Sequence, residues 1–131
     1  MELTSPAFTA NGQIPAKYTC DGANVSPPLI IAGVPSAAKS LALSVEDPDA
    51  PGGTFTHWLV WKIPPSTMAI TEGQHVGTEE QNGFGKPGYG GPCPPSGLHH
   101  YVFTLYAMSD EAPPSKGKVL GQTQLVGTYK R

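Results

Sequence analysis

Phe55-Thr56-His57-Trp58-Leu59-Val60-Trp61-Lys62-Ile63 reads as a β-strand rich in aromatic and branched side chains. Period-two alternation predicts Phe55, His57, Leu59, Trp61 and Ile63 on one face and Thr56, Trp58, Val60 and Lys62 on the other. Both faces are largely apolar, so the strand is expected to be central. His99–Met108 repeats the pattern, with His99, Tyr101, Phe103, Leu105 and Ala107 on one face. Upstream, Ser40–Asp47 alternates so that Leu41, Leu43, Val45 and Asp47 share a face. Leu3–Phe8 fits an edge strand holding Pro6, Pro28–Ala32 a short apolar strand, and Lys118–Tyr129 a last strand or pair kinked at Gly121 and Gly127.

Sixteen glycines and fifteen prolines cluster between these runs, which reads as many tight turns rather than low complexity. No segment of ten residues has helical periodicity, and residues 72–98 are turn-dominated. The fold class that follows is all-β, a β-sandwich or barrel, in one domain spanning 1–131. Net charge is −2 with Lys and Arg scattered, so the chain lacks the basic footprint of nucleic-acid binders or of proteins drawn to anionic membranes. No apolar stretch nears the roughly 20 residues of a membrane span. Met1–Pro6 lacks a basic, then apolar, leader pattern. A cytoplasmic protein is expected, with Cys20 and Cys93 as free thiols. Were they joined, loop closure would contribute roughly 4 kcal/mol.

Two Pro/Gly turns each deliver a histidine into a strand. Asp47-Pro48-Asp49-Ala50-Pro51-Gly52-Gly53-Thr54 precedes Phe55 and His57, and Gly88-Tyr89-Gly90-Gly91-Pro92-Cys93-Pro94-Pro95-Ser96-Gly97-Leu98 precedes His99. His57 and His99 each begin an apolar face, Tyr101 follows on the second, and Asp47 ends the Leu41/Leu43/Val45 face. If those faces meet, an acid, two imidazoles and a phenol converge at one end of the core, and burying them costs unless they are paired. Imidazoles and the Tyr101 hydroxyl can donate to a phosphate or carboxylate. Gly90 and Gly91 are expected to let a ligand approach the backbone. Asp47 would orient an imidazole and favour its charged form, or take an ammonium group. His100 faces the other way, as a solvated side chain. The spacing matches no metal-ligand motif, and Cys93 near His99 lacks an identifiable oxyanion hole or orienting group.

These two segments resemble the signature regions of the phosphatidylethanolamine-binding protein family, also called Raf kinase inhibitor proteins, in its bacterial and archaeal branch. Tyr18-Thr19-Cys20-Asp21-Gly22, Ser26-Pro27-Pro28-Leu29 and Leu125-Val126-Gly127-Thr128-Tyr129 add to the likeness. The resemblance implies a β-sandwich of two antiparallel sheets with Greek-key type connections and a small anion pocket, with no cofactor and no enzymatic activity. Carried over by position, Asp47, Pro51, His57, Gly91, Pro92, His99 and Tyr101 match the pocket, and Phe55 stands at its rim. A cis Ala50–Pro51 bond is also implied. Implied partners are a phosphate ester or headgroup and a regulated kinase or protease. A rival reading is a small hydrolase or transferase using His57, His99 and Asp47 for acid–base work. The chain departs from the family pattern in two places. His100 stands where an arginine is usual, and Ser109–Gly117 is a short loop where relatives have a helix, so apolar surface is left open and a homodimer is expected.

Overall fold

Strand formation follows the alternating runs closely. The computed structural model describes all 131 residues. Its strands are β1 (Glu2–Thr4), β2 (Leu29–Ala32), β3 (Ser40–Asp47), β4 (Phe55–Ile63), β5 (Ala69–Ile70), β6 (Thr78–Glu79), β7 (Leu98–Met108) and β8 (Val119–Lys130), with one 3-10 turn at Ala16–Tyr18. No helix is long and apolar enough to cross a membrane. Two antiparallel sheets result, one in the order β1-β2-β5 and the other β6-β4-β3-β7-β8. In the larger sheet β7 returns beside β3 after β4 and β6, giving the spatial order 7-3-4-6 of a Greek key. The excursion between β4 and β6 supplies β5 to the small sheet. The connection from β7 to β8 across 109–117 is a loop without helix. β8 is a single strand, paired with β7 through Gly127 and Gly121 alike.

The core lies between the sheets. Leu41, Leu43 and Val45 of β3 and Phe103, Leu105 and Ala107 of β7 are fully buried. Leu3, Leu29, Ile31 and Ile70 of the small sheet close over them in one cluster. Each such aliphatic or aromatic side chain is worth about 1.5–3 kcal/mol when removed from water.

β4 departs from simple alternation. Its pairing with β3 slips twice: Leu41 and Leu43 face Ile63 and Val60, and Val45 and Glu46 face Trp58 and Thr56. β4 therefore carries an extra residue at each end, and an extra residue reverses the alternation beyond it. Lys62 takes φ 58° at the first bulge. The inward residues are Trp58, Val60 and Ile63. The expectation that Leu59 and Trp61 share the face of His57 is thus overturned. Trp61 donates its indole N–H to Glu80 at the surface, at 2.8 Å. His57 is the extra residue of the second bulge, which is why it and its neighbour Trp58 are both buried.

Candidate functional site

The end of β3, the bulge of β4 and the start of β7 meet at a cavity of about 170 Å³. Six residues singled out from sequence line it: Asp47, Pro51, Phe55, His57, His99 and Tyr101. β3 and β7 are paired from Ser40–Met108 to Glu46–Val102, so Asp47 and His99 come together at the same sheet end. His99 donates from Nδ1 to Asp47 Oδ2 at 2.6 Å, and both side chains are almost wholly buried. The other oxygen, Oδ1, accepts the Asp49 backbone N–H at 2.8 Å. Asp47 therefore orients an imidazole, fixes its tautomer and leaves Nε2 as the free ring nitrogen.

His57 is held differently. A bulge residue has no strand partner for its carbonyl, and here that carbonyl accepts the Gly90 N–H at 2.9 Å. The imidazole returns a bond, from Nδ1 to the Gly90 carbonyl at 2.7 Å. Burial pushes its pKa below the ordinary histidine value, outweighing the Gly90 carbonyl and the Asp47 charge, which favour the proton. At neutral pH His57 is an uncharged imidazole with a lone pair at Nε2. The Tyr101 ring meets it edge to face at 5.2 Å, and Phe55 packs at 4.9 Å. The Tyr101 hydroxyl is buried with no hydrogen-bond partner, and burial raises its pKa further from the neutral range.

Gly91 and Pro92 do not line this cavity. The Gly91 N–H donates to Asn24 Oδ1 at 2.8 Å, and the Pro92 carbonyl accepts from Cys20 N–H at 3.1 Å. A Cβ on Gly91 would lie 2.2 Å from the Tyr18 carbonyl, and one on Gly90 2.4 Å from the Phe84 ring. The room where their Cβ atoms would sit is taken by Tyr18 and Phe84, while both glycines line an adjoining cavity with Cys93 and Lys86. Gly91→Ala is expected to destabilise the fold by about 1–3 kcal/mol through overpacking against main chain, measurable as a lower urea midpoint at constant slope.

Further expectations are corrected here. Ala50–Pro51 is trans, as is every peptide bond. The reversal is made instead by the Asp49–Asp47 side-chain turn and by Gly53 at φ 107°, whose N–H donates to the Ala50 carbonyl at 3.1 Å. Cys20 and Cys93 are not free thiols but a disulfide, with Cα atoms 5.4 Å apart. The 3-10 turn sets Cys20 against the 88–97 segment, within the range a bridge requires. His100 is exposed as expected, yet it is paired. Its backbone N–H and Nδ1 both reach Asp49 Oδ2, at 2.8 and 2.7 Å, and these bonds hold the Asp49 carboxyl below its usual range.

Sequence reasoning missed Ala50, Phe84, Cys93, Pro94 and Pro95 in the cavity lining. Cys93-Pro94-Pro95 lies inside the second turn, so that turn could have been taken whole. Phe84 sits in a loop with no period to place it. No cluster of three His, Cys, Asp or Glu side chains is arranged to hold a metal.

Comparison with known proteins agrees with this architecture. The sequence model described as phosphatidylethanolamine-binding protein matches residues 4–130. A UPF0098 protein of Methanothermobacter thermautotrophicus is 43% identical, the match covering 100% of this chain and 99% of the relative. It runs over 150 positions against the 131 residues here, so the relative carries residues this chain lacks. Another UPF0098 protein, from Chlamydia pneumoniae, is 40% identical over 100% of this chain and 99% of its own length. Among solved structures, the phosphatidylethanolamine-binding protein homologue CT736 of Chlamydia trachomatis superposes with a TM-score of 0.92 at 36% identity, covering 98% of this chain and 96% of that one. E. coli YbcL, described as a new member of the mammalian PEBP family, gives 0.88 at 29% identity, covering 99% and 98%. With the sandwich, the two turns and the matched length in agreement, the chain belongs to the phosphatidylethanolamine-binding protein family.

Proposed function

We propose that this protein is a non-catalytic binder of a small anion, of the phosphate monoester or phosphorylated headgroup class, in the cavity between Asp47, His57, His99 and Tyr101. The observation that carries this reading is the Tyr101 hydroxyl, buried beside the cavity without a partner. A buried hydroxyl left unpaired costs about 1–3 kcal/mol, and an anionic oxygen is the partner it lacks. The two imidazoles spend Nδ1 on the protein and keep Nε2 for a ligand. Cys93, the sulfur nearest this set, is tied in the disulfide and is no nucleophile in that state. Modulation of a partner protein such as a kinase or protease completes the reading and rests on the family resemblance alone.

The charge logic makes the binding testable. His57 is neutral because burial disfavours its charge, with Asp47, His99 and Tyr101 as its titratable neighbours. A bound phosphate brings negative charge against that nitrogen and draws a proton onto it. Calorimetric titration of methyl phosphate in buffers of different ionisation enthalpy is expected to show net proton uptake at neutral pH. Affinity rises as pH falls, until protonation of the phosphate itself, near pH 6, flattens the curve. Tyr101→Phe is expected to weaken binding by about 1 kcal/mol. Failure of any phosphate ester to saturate the protein would overturn the reading.

A further inference from the structure

A second cavity, of about 340 Å³, lies beside the first. Phe84 and Cys93 line both, and Lys86 lines only the second. Phe84 is 48% exposed, which is unusual for a ring held so firmly. It packs edge to face on Phe55 at 4.8 Å and on His57 at 5.6 Å, and it covers Gly90 so closely that a Cβ there would have to displace the ring. Its backbone N–H is fixed to Asn82 Oδ1 at 2.9 Å. An aromatic surface already ordered on its inner side costs little further entropy when a ligand covers the outer side.

The polar groups of the second cavity are mostly spent on the protein itself. The Asn24 side-chain oxygen accepts from Gly91, the Asn82 amide donates to the Gly88 carbonyl at 2.8 Å, and the Tyr89 hydroxyl donates to the Tyr18 carbonyl at 2.7 Å. Lys86 is the one charged side chain among them. Its ammonium has no ion-pair partner, and no carboxylate lines this cavity. A fixed, half-exposed ring thus separates an anion cavity from an unpaired cation.

We infer that the ligand of this protein carries two anionic groups, a phosphate for the first cavity and a second anion for Lys86, joined by a flat or apolar linker that lies over Phe84. The inference rests on the phosphate reading above and adds the shape and second charge of the ligand. Phe84 selects for the linker through ring contact. Lys86 selects for the distal charge as a flexible, hydrated point charge, so its contribution is screened by salt.

The test is calorimetric titration of methyl phosphate, phenyl phosphate and 4-carboxyphenyl phosphate, comparing affinity ratios within each protein. In the natural protein phenyl phosphate is expected to bind about tenfold tighter than methyl phosphate. The added carboxylate is expected to give a further gain of about threefold that disappears at high salt. The ring's gain is absent in Phe84→Ala, and the carboxylate's gain is absent in Lys86→Gln. If methyl phosphate binds and the larger esters bind no tighter, or if the gains persist in the variants, the two-anion ligand is refuted while the phosphate site stands. If no ester binds, the phosphate site falls and the extension falls with it.

Discussion

Replacing Cys20 and Cys93 together by serine is expected to lower the unfolding free energy by about 4 kcal/mol. The bridge joins residues 73 apart in sequence, and closing a loop of that length removes entropy of about this size from the unfolded chain. The native segments lose little when the bridge is cut. Cys20 N–H still reaches the Pro92 carbonyl, Gly91 still donates to Asn24, and Tyr89 still donates to the Tyr18 carbonyl. The effect therefore falls on the unfolded state, and it is a large share of the roughly 5–15 kcal/mol that holds a domain together. Urea unfolding of the natural protein with and without reductant, beside the double variant, measures it. A loss below about 1 kcal/mol would contradict the loop-closure account and show that the unfolded chain keeps the two segments associated.

Asp47→Ala is expected to cost about 3 kcal/mol of stability, because two buried donors, His99 Nδ1–H and Asp49 N–H, lose their acceptor at about 1–3 kcal/mol each. Asp47→Asn separates this structural role from the chemistry. The amide oxygen must stay on the Asp49 N–H, so the NH₂ group turns to His99 Nδ1. That nitrogen then has to accept, and the proton moves to Nε2. In the natural protein Nε2 donates only when the imidazole is protonated. In the Asn variant it donates in the neutral form. Stability should stay close to natural, and phosphate affinity at neutral pH should rise, because the nitrogen offered to the anion is now a donor. Unfolding midpoints and calorimetric titration of methyl phosphate check both arms. An Asn variant with unchanged affinity would remove His99 from the binding of the anion.

The strand content and most of the site were legible because period two is a strong signal where one face is wholly apolar. β3 and β7 alternate without interruption, so Asp47, His99 and Tyr101 could be placed on inward faces at matching strand ends. β4 was harder. Its two bulges leave no mark in a run where both faces are apolar, so Leu59 and Trp61 were given the wrong side while His57 kept the right one. The loops were least readable. Phe84 reaches the cavity because Asn82 folds the 82–90 segment on itself through bonds to Phe84 N–H and the Gly88 carbonyl, and no spacing announces that. Gly90 and Gly91 were legible as part of the right turn, but a glycine's smallness does not say which neighbour needs the room, here Phe84 and the Tyr18 carbonyl. The disulfide depended on Cys20 and Cys93 meeting across the fold, which pairing rules for strands do not reach.

The clamp between His57 and Gly90 is made on the loop side by main-chain atoms alone. The Lys86 side chain can therefore change without loosening the imidazole, whereas Phe84 packs directly on its ring. Holding the anion and choosing what is attached to it become separable properties. One set of strand residues can serve a range of ligands, with selectivity for a distal charge rewritten at Lys86 at little cost to the fold.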